Sequence, residues 1–220
     1  MKILNLTNLP KPDNSVSEYI LNYHYNSTGS DNKYSNHQFI MNKVLHEVYD
    51  DKINISLSVE HRPPKILFDK IQEQYQPYFK TPMIGSWFNI LGNSNLSQGP
   101  ACFPPHVHYG RTLAVNYFID LGGDNVNTVF YSHYQADREP NSPQPVLEKY
   151  GGFLKYENVR KDTQYTAEKN KWYVHNSRIP HSVENITATR ILFCLVFPAT
   201  CEVADIMCEE KIEYSIVETE

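Results

Sequence analysis

The residues best placed to do chemistry lie in Pro105-His106-Val107-His108-Tyr109. In extended chain, residues i and i+2 point to the same face, so His106 and His108 present two imidazoles to one side. A third imidazole, His181, lies far downstream in Ile179-Pro180-His181-Ser182-Val183-Glu184-Asn185. It falls between two segments that read as strands, Lys171–Asn176 and Thr189–Phe197. Two ligands from one strand and one from a distant strand make a facial triad, which can hold a divalent transition metal and leave coordination positions open. An H-x-H pair is a weak signal by itself in a chain with nine histidines, and the later His181 is what strengthens it. His24, His37, His46, His61, His133 and His175 have no comparable setting and read as surface or core histidines.

A charge opens the strand after His181, in Thr189-Arg190-Ile191-Leu192-Phe193-Cys194-Leu195-Val196-Phe197. A guanidinium in so apolar a segment is costly without a partner. It is either an arginine at an exposed strand end or a fork that binds a carboxylate by two parallel hydrogen bonds. Alternation puts Arg190, Leu192 and Cys194 on one face. If that face is the interior, Arg190 can hold a dicarboxylate whose other end chelates the metal. Asn116 sits mid-strand among apolar neighbours and would need partners if buried, so it is either an inward residue that contacts a bound cofactor or substrate or an ordinary strand residue. Tyr117 and Tyr131 could offer hydroxyls to a bound carboxylate, or be ordinary strand tyrosines. Trp87, Trp172 and Cys194 read as core, and Gly122-Gly123-Asp124-Asn125 as a turn.

These residues need elements to position them. Phe39–Tyr49 has near-helical apolar spacing, and Pro63-Pro64 precede a segment that predicts a helix over 65–76, with Ile66, Leu67, Ile71, Tyr75 and Tyr78 on one face and Pro77 beyond its end. Lys2–Leu6 reads as an edge strand followed by irregular chain. Met83–Leu91, Arg111–Asp120 and Thr128–Tyr131 join Lys171–Asn176 and Thr189–Phe197 as strands rich in aromatic and β-branched residues. Residues 92–100 read as a loop, and 133–170 as an insertion or lid. The expectation is one α+β, mainly β domain over 1–220. In it, an N-terminal extension with supporting helices (1–82) buttresses a β-barrel or sandwich (83–200), and 201–220 form a C-terminal tail.

Composition narrows the function. The formal charge of −5, with scattered basic residues, disfavours a nucleic-acid partner, which needs a basic footprint. No stretch approaches the length of a membrane span, and the N-terminus lacks the apolar core of a signal peptide. Cys102, Cys194, Cys201 and Cys208 show no CxxC spacing and are expected as free thiols in a cytoplasmic protein.

From about Trp87 to Phe197 the chain resembles the 2-oxoglutarate/Fe(II)-dependent oxygenases, most closely their phage and marine-microbe members. Pro105-His106-Val107-His108 resembles the first metal motif, usually His-x-Asp. Arg111–Ile119 and Thr128–Tyr131 resemble the strands that follow, and Pro180–Asn185 with Arg190 resembles the last histidine and the 2-oxoglutarate-binding arginine. The resemblance implies a double-stranded β-helix (jelly-roll, cupin-like), Fe(II) held by His106 and His181, and 2-oxoglutarate held by Arg190. It further implies oxidative decarboxylation of that acid coupled to oxidation of a second substrate, a small molecule or peptide of unknown identity. His108 departs from the pattern: a neutral imidazole stands where the family has a carboxylate. It is read here as the third ligand, though two histidines with waters could also hold the metal. Three-histidine sites are typical of cupins, but the glutamate of the first cupin motif is missing after His108. A cupin-type metalloenzyme that uses no 2-oxoglutarate, and a catalytically inactive barrel, are the rival readings.

Overall fold

Every residue of Arg190–Val196 is buried, because this strand is covered on both faces. The computed structural model describes residues 2–27, 49, 53–92, 99–108, 112–134, 152–208 and 210–219. In chain order its elements are β1 (Leu4–Leu6), α1 (Asn14–Ser27), β2 (Leu57–His61), α2 (Lys65–Tyr75), β3 (Gly85–Gly92), β4 (Ala101–His106) and β5 (Leu113–Leu121). They continue with β6 (Asn127–Tyr134), β7 (Val159–Thr166), β8 (Trp172–Asn176), β9 (His181–Ile186), β10 (Arg190–Val196), α3 (Val203–Ile206) and β11 (Tyr214–Ile216). The strands form two antiparallel sheets: a seven-stranded one in the order β11-β1-β8-β5-β10-β3-β2, and a four-stranded one in the order β4-β9-β6-β7. The fold is mainly β, a sandwich with helices against the outer face of its larger sheet.

Alternation along β10 sorts the two layers. Ile191, Phe193 and Leu195 pack with Val16 and Ile20 of α1 and with Leu67, Ile71 and Tyr75 of α2. Leu192 and Cys194 face the other way, packing with Phe118 and Tyr173 of their own sheet and with Phe130 and Tyr165 of the smaller one. Strands covered on both faces read as continuous apolar runs, which explains the composition of this segment. The α2 helix forms because Leu67, Ile71 and Tyr75 recur every fourth residue on one buried face. It starts after Pro64 and gives way to a single 3-10 turn, Gln76–Tyr78, at Pro77, which has no N–H to continue the ladder.

The expected helix over 65–76 and the five expected strands are present with shifted ends. Ile66, expected on the apolar face, is 77% exposed, because position 66 lies one residue off the buried stripe. The β1 strand is flanked on both sides, by β8 and β11, and is not an edge. Chain read as irregular after it contains α1. The 133–170 segment read as an insertion supplies β7, a member of the smaller sheet. The expected tail is built into the fold through buried Ile206, Met207 and Ile212 and through pairing of β11 with β1. Strands β2 and β11 were not foreseen, β4 and β9 were expected only as strands without bounds that carry the histidines, and His108 lies past the end of β4. The helix expected over Phe39–Tyr49 falls almost wholly outside the described residues. No helix among the described residues is long and apolar enough to cross a membrane.

The turn between β5 and β6 bears on β10. Gly122 has a φ of 84°, and a Cβ added there would lie 2.8 Å from Cβ of Arg190. We therefore expect Gly122→Ala to lower the unfolding free energy by about 1–3 kcal/mol in urea denaturation, through strain plus displacement of Arg190. Gly92→Ala, where nothing among the described residues lies within 4 Å, should change it by less than about 0.5 kcal/mol.

Candidate functional site

His106 is the last residue of β4 and His181 the first of β9, and the two are direct partners in the antiparallel ladder. Opposed residues in such a pair project to the same face with neighbouring Cβ atoms. Their ring centroids are 4.3 Å apart. His108 lies two residues past His106, its backbone N–H donating to the Ser177 carbonyl at 3.0 Å. Its ring centroid is 4.8 Å from that of His106 and 5.2 Å from that of His181. One ring nitrogen from each histidine can be chosen so that all three lie within 4.8 Å of one another. His106 and His181 are buried and His108 is half-buried.

Two backbone contacts orient the rings. Nδ1 of His106 is 2.8 Å from the Pro104 carbonyl, and Nδ1 of His181 is 2.8 Å from the Ile179 carbonyl. A carbonyl only accepts, so each Nδ1 carries the proton and donates, which leaves the lone pair on Nε2. Metal-binding histidines are commonly held in this way. Three imidazole nitrogen donors, two of them with the tautomer fixed, suit a divalent transition metal better than Mg²⁺ or Ca²⁺, which prefer oxygen. The cluster contains no carboxylate among the described residues.

Arg190, only 3% exposed, faces the interior between the sheets. Its Nη2 donates to Oγ1 of Thr128 at 3.3 Å, and its guanidinium carbon lies 5.0 Å from the centre of the Phe118 ring. Among the described residues, Nε and Nη1 have no hydrogen-bond partner and no acidic side chain pairs with the group. Burial pulls its pKa down to about 10, partly offset by Tyr165. Burial in turn pushes the Tyr165 hydroxyl up to about 12, against the pull of Arg190. The group thus stays charged at neutral pH, with two donors left over.

Of the other sequence candidates, Asn116 is buried, opposite Tyr173 and Cys194 in the ladders, with its Oδ1 lacking a partner among the described residues. Tyr131 lies elsewhere: its hydroxyl contacts Oγ of Ser182 and Oε1 of Glu184, both at 2.9 Å, and its ring neighbours Tyr156. Ser182 follows His181 in the strand and so takes the opposite face. The Tyr117 hydroxyl meets Oδ1 of Asn170 at 3.3 Å, while its ring packs against Trp172 on the helix side. Trp172 donates from Nε1 to the Pro10 carbonyl.

One further histidine, expected as a surface or core residue, is buried near the cluster. His175 is 4% exposed, with its ring centroid 5.4 Å from that of His181. Strand alternation with Tyr173 would have put it on the interior face, but both faces of β8 are buried, so sequence pattern does not separate the two sides. The chain matches no protein-family model and no relative among curated proteins.

A buried guanidinium with unmet donors costs stability, and an apolar side chain of similar length removes that cost. Arg190→Met should raise the unfolding free energy of the ligand-free protein by about 1–3 kcal/mol in urea denaturation. A loss of stability would mean that the guanidinium is satisfied in the folded state.

Proposed function

We propose that the protein is an Fe(II)- and 2-oxoglutarate-dependent oxygenase built on a double-stranded β-helix, with His106, His108 and His181 as metal ligands and Arg190 as the anchor for the distal carboxylate. The observation that carries this reading is the under-satisfied, buried Arg190 guanidinium in the same interior as the imidazole cluster. The smaller sheet relates the two. Arg190 donates to Thr128, while His181 is the ladder partner of Phe130, two residues further along β6. Two residues of strand span about 7 Å. A five-carbon diacid fits that interval, with one end on the metal and the other on the guanidinium. The strand orders β8-β5-β10-β3 and β4-β9-β6-β7 support a jelly roll, in which eight strands alternate between two sheets.

In this reading, when bound, Fe(II) and 2-oxoglutarate supply the oxidising chemistry. The chain's own contribution is positional. The Pro104 and Ile179 carbonyls present Nε2 of His106 and His181 to one point. Arg190 neutralises a carboxylate by a two-point contact where water is excluded. The rings of Phe103 and Phe153, 4.8 and 5.6 Å from that of His106, wall the cluster with apolar surface. The absence of a carboxylate in the donor set favours a second reading, a cupin-type three-histidine metalloenzyme that takes no oxo acid.

A metal that binds only the folded state, present at a hundred times its dissociation constant, should raise the unfolding free energy by about 2.7 kcal/mol. We expect Mn(II) or Ni(II) to do so with the wild-type chain and to have no effect on His181→Ala. Anaerobic visible absorption then separates the two enzymatic readings. A weak charge-transfer band that requires both Fe(II) and 2-oxoglutarate, and is lost in Arg190→Met, is the expected outcome. Metal binding without that band would select the cupin-type reading.

A further inference from the structure

Polar side chains recur along the interior between the histidine cluster and Arg190, where hydrocarbon would pack at lower cost. His175 is the one nearest the cluster. Its ring centroid lies 5.4 Å from that of His181, 5.3 Å from that of Phe130 and 6.4 Å from that of Tyr165. Tyr165 is the ladder partner of Thr128, which bonds Arg190. The His175 ring therefore stands beside the interval that separates the metal ligands from the guanidinium. It is not one of the three clustered ligands. Its ladder partner on β5 is Ala114, so no bulky side chain crowds it from that strand. Two residues further along β5, Asn116 brings a buried Oδ1 into the same interior.

We propose that His175 is a ligand-contacting residue, donating a ring N–H to a carboxylate oxygen at the metal-bound end of a 2-oxo acid. The proposal rests on the oxygenase reading above and adds a division of labour to it. Arg190 recognises the distal carboxylate, which only diacids possess. His175 recognises the chelating end, which all 2-oxo acids share. No bond is made or broken in this role.

The test is anaerobic titration of the Co(II)-loaded protein, followed by Co(II) visible absorption, with 2-oxoglutarate and with 2-oxobutyrate. His175→Phe keeps an aromatic ring, slightly larger, and removes the hydrogen bond. It should weaken both acids about tenfold, the cost of one lost hydrogen bond, while leaving Co(II) affinity unchanged. His175→Gln, which retains an N–H donor, should recover most of the loss. Arg190→Met should weaken 2-oxoglutarate alone. If His175→Phe binds both acids as the wild type does while the Arg190 effect persists, His175 is a packing residue and the proposal falls by itself. A loss of Co(II) affinity in His175→Phe would overturn it too, making the residue a support for His181. If the wild-type protein binds neither acid, the oxygenase reading falls and takes the proposal with it.

Discussion

The site depends on one alignment: the pairing of β4 with β9 in the register that sets His106 opposite His181. A slip of one residue would turn one imidazole to the far face of the sheet and break up the histidine cluster. The ladder achieves this register through irregularity. It shifts between Ala101 and Phe103 and again between Phe103 and His106. Under strict alternation Phe103 and His106, three residues apart, would face opposite ways. The second shift brings them to the same side, with ring centroids 4.8 Å apart. Bulges re-aim side chains in this manner and gather near functional sites. Pro104, within the shifted segment, also gives its carbonyl to His106.

The larger sheet divides its two faces between different tasks. On the helix side, Trp172, Phe193, Phe88 and Tyr75 form a continuous aromatic and aliphatic core. On the inner side the same strands carry Asn116, His175 and Arg190 among Phe118, Tyr173 and Leu192. The first face supplies the stability that lets the second hold Asn116 and Arg190, whose Oδ1, Nε and Nη1 lack partners among the described residues. The β10 strand expresses both tasks at alternate positions, which is why its sequence looks uniformly apolar apart from its opening charge.

Sequence reading found the metal-ligand candidates because spacing carried the signal. His-x-His in extended chain and a later histidine before an apolar strand are local patterns, and the structure brings all three together. It also placed Arg190 on the face shared with Leu192 and Cys194, because alternation along one strand is a local property. It failed where the deciding fact was which strand lies beside which. Nothing in 159–166 reveals that β7 pairs with β6, since VRKDTQYT is polar at an outer edge of the smaller sheet. His175, expected as a surface or core histidine, is buried; which face of β8 it takes was not legible, because that strand is buried on both faces and apolar periodicity has no phase to read. Tyr131 looked suited to a carboxylate contact by residue type, yet its hydroxyl meets Ser182 and Glu184.

The outer margin of β4 is closed by small pieces of chain. At one end Ser56 donates to the Cys102 carbonyl and Cys102 to the Asn54 carbonyl. At the other, Leu154 donates to the Pro105 carbonyl and Val107 to the Gly152 carbonyl. Pro104 and Pro105, between these attachments, have no N–H to offer. A bare sheet margin is a template on which a second chain can add a strand and start aggregation. Here the strand that ends at His106 offers no such template, so the sheet can bring a strand of the histidine cluster to its border without becoming sticky along it.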